Sequence, residues 1–72
     1  MNFSKWIEKM GGATRLAGKL GVSKAAVSQW DHGIALPNDE RKQAIIKLSR
    51  GAISYMDIVR HYNNMKAARG AK

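Results

Sequence analysis

The chain has 72 residues, of which 13 are Lys or Arg and 5 are Asp or Glu, for a net charge of +8. A chain of this length forms one domain at most, and so large a basic excess suits a polyanionic partner such as nucleic acid. The absence of cysteine excludes disulfides and thiolate metal sites, and no apolar run approaches the roughly 18 residues of a membrane span. No secretory signal pattern follows Met1, so we expect a cytoplasmic protein without a membrane partner.

The first predicted element is a short amphipathic helix over residues 3–10. Phe3 and Ile7 stand four residues apart on its apolar face, which is the spacing of one helical turn. Asn2 is a candidate N-cap, and the glycine pair at 11–12 ends the helix.

Residues 13–32 predict two helices joined by a tight turn. Leu16, Ala17 and Leu20 stand at i, i+1 and i+4, which makes one apolar stripe of a helix. Gly21 supplies the positive φ that follows a helix end. Ala17 is small enough for a second helix to cross closely, whereas a bulky side chain would force the two helices apart.

The second of these helices begins after Ser23, a good N-cap, and buries Val27 and Trp30 on its apolar stripe. Its outward side carries short or polar side chains that suit the edges of DNA bases. The pattern therefore indicates a DNA-reading helix-turn-helix. Two packed helices in a bundle that touches no DNA would need the same small residue and glycine turn, so that alternative remains open.

The pattern resembles the helix-turn-helix of small phage repressors of the Cro type, which are lambda-repressor-like, and that of prophage regulators of the YdaS type. The residues that carry the resemblance are Ala17, Gly21, Val22, Ser23, Val27 and Trp30. It extends over residues 11 to 59. It implies a compact all-α domain of five helices in a bacterial host, which represses transcription by binding a palindromic operator in double-stranded DNA as a homodimer.

Mapping the family pattern onto this chain places the base-reading positions on Ser23, Lys24, Ala25, Ser28 and Gln29. Gln29 can pair bidentately with adenine, and Lys24 can donate to guanine. Ala25 has a methyl group that can pack on that of thymine. Gln29 as a solvated surface amide and Lys24 as a phosphate contact are the alternatives.

Phosphate contacts are expected beside the recognition helix, from Thr14, Arg15, Lys19, Asn38 and Arg41. Thr14 and Arg15 begin a helix, where free backbone N–H groups favour an anion. Related repressors often carry Gln at the position of Ala13, which has no polar group, and Thr14 is the candidate substitute.

After the helix-turn-helix, residues 34–37 form an apolar connector that we expect to fold over the core. Asn38 is the N-cap of a fourth helix. Ser54 and Asp57 resemble a capping box at the start of a fifth helix. We expect one core that contains Leu16, Ala17, Leu20, Val22, Val27, Trp30, Ile45, Leu48 and Ile58.

The apolar pattern stops after Asn63, and the following residues carry cations without an acid. We therefore expect a domain over residues 1–63 and a flexible basic tail over residues 64–72. The C-terminal third offers more apolar side chains than a thin domain can cover, and we expect a dimer surface at Ile46, Ile53, Tyr55, Met56, Val59 and Tyr62. The alternative is that these residues seal the monomer core and that two chains pair only on DNA.

The sequence gives no support for catalysis, because the five acids are scattered and no set of Ser, His and Asp suggests a nucleophile. His32 and His61 lack ligand spacing, so we expect surface or helix-end residues and neither a metal nor a cofactor. An antitoxin or antirepressor that binds a protein through the same fold is the alternative function. The polar outer side of residues 23–29 favours DNA.

Overall fold

Five α-helices account for most of the chain in the computed structural model, which describes residues 2–70. They are α1 (Phe3–Lys9), α2 (Gly12–Leu20), α3 (Lys24–Asp31), α4 (Asp39–Leu48) and α5 (Tyr55–Gly70). Within the described residues there is no strand, which confirms the all-α, five-helix prediction. None of the helices in this range is both long and apolar enough to cross a bilayer.

Local hydrogen bonds fix where most of the helices begin. Asn2, Ser23 and Asn38 precede α1, α3 and α4, and a side-chain oxygen of each accepts a first-turn N–H at 2.9–3.1 Å. At α5, Asp57 Oδ2 accepts the N–H of Ser54 at 2.9 Å while Ser54 Oγ accepts that of Asp57 at 3.1 Å. These four starts agree with the sequence, because a cap acts on N–H groups only two or three residues away.

One hydrophobic core lies where all five helices meet. It consists of Phe3, Trp6, Ile7, Leu16, Ala17, Val27, Trp30, Ile45, Ile53 and Ile58. Leu20, Val22 and Leu48, which the sequence also assigned to the core, are half-buried against its margin. α1 therefore belongs to the main core and is not a separate appendage.

α1 packs against α5 through an aromatic contact that involves a histidine. The ring of Phe3 stacks on Trp6 with centroids 6.1 Å apart, and the ring of His61 meets Phe3 edge-on at 5.6 Å. His61 is only 8% exposed. The expectation of a surface or helix-end position for His61 is therefore wrong, because the aromatic side chains of α1 cover it.

The expected tail is also wrong over residues 64–70, which continue α5 as helix to Gly70. A reason lies at Gly33, where φ is +69° and an added Cβ would collide with the Cβ of Met65. The chain between α3 and α4 thus crosses directly over the backbone of α5, and this contact needs few apolar side chains. Ala71 and Lys72, the rest of the expected tail, lie outside the described residues.

The connector between α3 and α4 is only partly folded over the core. Pro37 is buried and Ala35 is half-buried, but Ile34 is 60% exposed and Leu36 is also exposed. The expectation for residues 34–37 therefore holds for two of the four. The positive φ of Gly33 turns the chain at this point, and the next side chain points outward as a result.

Candidate nucleic-acid interface

The turn between α2 and α3 is closed by one backbone carbonyl. Gly21 has a φ of +70°, and its N–H donates to the carbonyl oxygen of Ala17. The N–H of Val22 donates to the same oxygen at 3.0 Å. Ala17 is buried beneath the crossing of the two helices, so this stretch has the geometry that the sequence predicted for a helix-turn-helix.

α3 divides into a buried side and an exposed side. Val27 and Trp30 are buried in the core. The exposed side brings together four of the five residues assigned to base reading, because positions i, i+1, i+4 and i+5 share one face of a helix. They are Lys24, Ala25, Ser28 and Gln29, of which Ser28 is half-buried and the others are exposed.

The hydrogen-bonding capacity of this exposed side is not uniform. Ser23, the fifth assigned residue, uses its oxygen to cap α3, which leaves its hydroxyl proton free to donate. Ser28 Oγ lies 3.3 Å from Nδ1 of His32, and that nitrogen lies 2.8 Å from the Ser28 carbonyl oxygen. Within residues 2–70, Lys24 and Gln29 form no side-chain hydrogen bond or ion pair. Their polar groups are therefore the ones best able to contact a ligand.

The start of α2 is the most open helix N-terminus of the fold. Its N-cap is Gly11, with a φ of +100° and no side chain that could accept a first-turn N–H. The side chain of Arg15 lies back over Gly11, since a Cβ added there would collide with it. Free N–H groups and the positive end of a helix dipole thus lie beside the aliphatic part of a cationic side chain, and a helix start of this kind favours an anion such as phosphate. Thr14 is exposed beside it.

The other residues assigned to phosphate lie further along α2 and at the start of α4. Lys19 is exposed one turn beyond Arg15. Asn38 Oδ1 accepts the N–H of Arg41 at 2.9 Å, so only its amide N–H groups remain to donate. Arg41 itself is half-buried. Four of the five residues therefore lie at two helix N-termini, and Lys19 lies in the last turn of α2.

The charge of this region has one sign. Residues 12–30 contain three cations, Arg15, Lys19 and Lys24, and no acid. All three side chains are exposed. Exposed cations without neighbouring carboxylates in the same segment have no local partner to neutralise them, so their field extends into solvent.

The residues assigned to the dimer surface fall into three groups. Ile53 is 0% exposed and part of the core, so its assignment to an interface is wrong: it fills the space between α4 and α5. Tyr55 and Met56 are exposed at 45% and 55%. The half-buried members are Ile46, Val59 and Tyr62.

Two features of this region were not anticipated from the sequence. Lys42 is buried, with Nζ 3.5 Å from Asp39 Oδ1 and 4.8 Å from the ring centroid of Tyr55. The exposed Ile34 adds an apolar side chain outside the predicted set. The spacing of apolar residues along α4 does not indicate that Lys42 faces inward. It also does not identify the ring of Tyr55 as the partner of Lys42.

No three His, Asp or Glu side chains in the part of the chain described come close enough together to hold a metal ion. The two histidines are engaged elsewhere, His32 with the backbone of Ser28 and His61 with that of Asp31. On the exposed side of α3 and at the start of α2, the polar groups that face solvent are cations, amides and hydroxyls.

Comparison with known proteins gives one family. Neither the curated proteins nor the solved structures compared with the chain give a significant match. A family model described as bacterial toxin YdaS matches residues 3–63, from the first residue of α1 to a point within α5. The match thus covers the helix-turn-helix, α4 and the turn into α5. The chain belongs to the YdaS family.

Proposed function

We propose that this protein is a DNA-binding transcriptional regulator of prophage type, which represses by placing α3 in the major groove of an operator. The observation that carries the proposal is the exposed polar side of α3, held on a closed helix-turn-helix whose residues 12–30 contain three exposed cations and no acid. The major groove of B-DNA is wide enough to admit an α-helix, and it presents a different pattern of donors and acceptors for each base pair.

The proposal assigns DNA binding to two kinds of contact, one with the phosphate backbone and one with the edges of the bases. The open start of α2, with Arg15 above it, binds a phosphate and sets the register of the protein on the duplex. Gln29 and Lys24 then read base edges, Gln29 by a bidentate pair with adenine and Lys24 by donation to guanine. Ala25 contributes contact with a thymine methyl group.

A dimer completes the proposal. One recognition helix covers too few base pairs to discriminate among the competing sites of a genome. A twofold pair places two such helices about 34 Å apart on successive major grooves of a palindrome. The exposed Tyr55 and Met56 at the start of α5 are the best apolar anchors for this pairing.

A second candidate function is a toxin or antitoxin that acts by binding a protein. The description of the family as a bacterial toxin favours it, and the exposed Ile34, Leu36 and Met56 would supply apolar contacts. The two candidates differ in what the polar side of α3 does, because a protein partner that bound the apolar side chains would not need Lys24 or Gln29.

The test begins with a gel shift against a pool of random duplexes at two salt concentrations, followed by selection of the bound sequences. We expect an enriched palindrome, and we expect Lys24→Ala and Gln29→Ala each to weaken that preference. Lys47→Ala removes the same charge from the end of α4 away from Asn38 and Arg41, and it should keep the preference. Failure of the wild-type protein to select any sequence would contradict the proposal.

A second arm separates the two candidates in cells. Induced expression of the wild-type protein is compared with expression of the Lys24→Ala, Gln29→Ala double variant, and growth and accumulation are measured for both. If the wild-type protein arrests growth and the double variant does not, the arrest depends on DNA binding by α3. Equal arrest by both would support the protein-binding candidate instead.

A further inference from the structure

The end of α3 is closed first by its own backbone. Gly33 adopts a φ of +69° just beyond the helix. The N–H of Gly33 donates to the carbonyl of Trp30 at 3.2 Å, and the N–H of Ile34 donates to that of Gln29 at 2.9 Å. This pair of bonds is a Schellman motif. It leaves the carbonyl groups of Asp31 and His32 without a backbone partner in the helix.

Two side chains of α5 form hydrogen bonds with those two carbonyl groups. Nε2 of His61 lies 2.7 Å from the carbonyl oxygen of Asp31, and Nη1 of Arg69 donates to that of His32 at 2.9 Å. A carbonyl oxygen only accepts, so Nε2 of His61 carries the proton. Donors at this end of a helix also match the negative pole of its dipole, and the charge of Arg69 adds to that effect.

The two donors differ in how far the fold fixes them. His61 is buried and its ring meets Phe3 edge-on, so α1 fixes its position. Arg69 is exposed and lies one helical turn after Met65. At Met65 the backbone of Gly33 packs directly against α5, because a Cβ on Gly33 would collide with Met65. The buried Oδ1 of Asp31 has no hydrogen-bond partner in the described part of the chain and lies 3.8 Å from Nε2 of His61. A carboxylate only accepts, so Asp31 cannot itself bond to the free carbonyl groups at the end of α3.

We infer that α5 positions the recognition helix for DNA reading, with His61 and Arg69 as positioning residues that cap α3 from outside. The inference rests on the proposed function. Base reading requires side chains held within about 0.5 Å and 10–20° of the productive geometry. Gln29 lies in the last turns of α3, next to the end that α5 secures, so a loosened end displaces Gln29 before it displaces Lys24.

The experiment compares three variants of α5 that differ in what they remove. Arg69→Ala removes both the charge and the donors, whereas Arg69→Lys keeps the charge and an N–H donor that is one bond shorter in reach. Arg60→Ala removes one charge from another side of α5, where Arg60 pairs with Asp57 at 3.8 Å and, within residues 2–70, forms no hydrogen bond or ion pair with α3. Binding is measured on the selected operator and on a random duplex, and amide hydrogen exchange is measured on the free protein.

We expect Arg69→Ala to lower the ratio of operator affinity to random-duplex affinity by roughly three- to tenfold, the equivalent of one hydrogen bond. Arg60→Ala should leave that ratio within about twofold of the wild type, because it keeps the donor at His32, and Arg69→Lys should lose less of the ratio than Arg69→Ala does. In the free protein, the amides of Gly33 and Ile34 should exchange faster in Arg69→Ala than in Arg60→Ala. A purely structural role for Arg69 would lower both affinities together and leave the ratio unchanged.

His61 provides an independent arm. His61→Gln keeps an N–H donor near Asp31, and His61→Phe keeps the bulk but has no donor, so Gln should retain more of the operator preference than Phe does. Where His61→Phe fails to fold, the Arg69 variants decide alone. Unchanged exchange at Gly33 and Ile34 in Arg69→Ala overturns the positioning role. A wild-type protein without any sequence preference, with exchange at those amides still dependent on Arg69, overturns the proposed function while α5 remains the cap of α3.

Discussion

Ala17 and Val22 are joined across the turn of the helix-turn-helix by a backbone hydrogen bond of 3.0 Å, from the N–H of Val22 to the carbonyl oxygen of Ala17. The same oxygen accepts the N–H of Gly21. One residue therefore does two things: its carbonyl closes the turn, and its methyl group lets α2 and α3 approach. Ala17 is 4% exposed, so a larger side chain at this position would have to fit inside the core.

Replacement of Ala17 by Leu should destabilise the fold by about 1–3 kcal/mol, because added methylene groups in a filled core displace their neighbours. In a domain of this size each 1 kcal/mol lowers the melting temperature by about 4–8 °C, which thermal unfolding followed by circular dichroism detects. Ala25→Leu is the matched control, since Ala25 is exposed on α3. A melting temperature of Ala17→Leu equal to that of the control would contradict the tight helix crossing.

The Gln29→Ala variant should relax base preference at one position of the operator and cost about 1–3 kcal/mol there. The reason is the loss of a bidentate pair between the exposed amide and a base edge. The measurement is a set of operators mutated one position at a time, and Gln43→Ala, an exposed glutamine of α4, is the control. If the variant bound operator and random duplex with the same loss, Gln29 would not be a base-reading residue.

Arg15→Ala should weaken binding to every sequence and lower the slope of log affinity against log salt by about 1, as expected for the loss of one phosphate contact. The side chain of Arg15 lies over the open start of α2, so its guanidinium group adds to the N–H groups there. Arg50→Ala removes an equal charge from the turn after α4 and should change the slope less. A loss confined to the operator would assign Arg15 to base reading instead.

The fold could be predicted from the sequence to the extent that it depends on short-range signals. The apolar stripes of α2 and α3 repeat every three or four residues, and the caps Ser23 and Asn38 bind N–H groups within the same range. The sequence alone therefore reveals both signals. The exposed side of α3 follows from the same periodicity, because Lys24 and Gln29 lie opposite Val27 and Trp30.

The interactions that the sequence did not reveal are long-range and use backbone groups. His61 binds a carbonyl 30 residues earlier, and Arg69 binds one 37 residues earlier. Every residue carries a carbonyl, so no pattern of side chains identifies these partners. Ile53 was misassigned for a different reason: it lies in a turn between two helices, where no period indicates which side of the chain faces the core.

Asp57 should make the start of α5 sensitive to acid. The N–H of Ser54, its hydroxyl group and the charge of Arg60 hold the pKa of Asp57 below its ordinary value of 3.8, and the backbone bond is the largest cause. A carboxyl with a lowered pKa in the folded state stabilises it fully above the ordinary value, and this contribution is lost as the pH falls through the lowered pKa. The capping box therefore weakens below pH 3.8.

Asp57→Ala should lose about 0.3–1.5 kcal/mol near neutral pH, the value of one cap interaction. The stability gap between the wild type and Asp57→Ala, measured by urea unfolding, should narrow as the pH falls below 3.8. Asp57→Asn keeps an oxygen for the N–H of Ser54 and does not titrate, so its stability should lie between the two and follow a flatter pH profile. A gap that stays constant down to pH 2 would show that the carboxylate does not cap α5.

Met56→Asp should abolish dimerisation while leaving the monomer folded. Met56 is 55% exposed at the start of α5 and Tyr55 beside it is 45% exposed, and a flexible methionine packs well in surfaces that meet a copy of themselves. A buried carboxylate without a partner is costly, so sedimentation at tens of micromolar should show dimers of the wild type and monomers of the variant. Ala68→Asp, which puts the same charge on another side of α5, should leave the dimer intact.

The same variant separates two ways in which a pair can form on the operator. If the dimer forms in solution, Met56→Asp should bind a full palindrome no more tightly than a half-site, whereas the wild type gains from the linkage of two recognition helices. If two chains pair only on DNA, the wild type sediments as a monomer alone and as two copies with the palindrome. In both cases the palindrome binds more tightly than the half-site, and equal affinity of the wild type for the two duplexes would contradict the twofold arrangement itself.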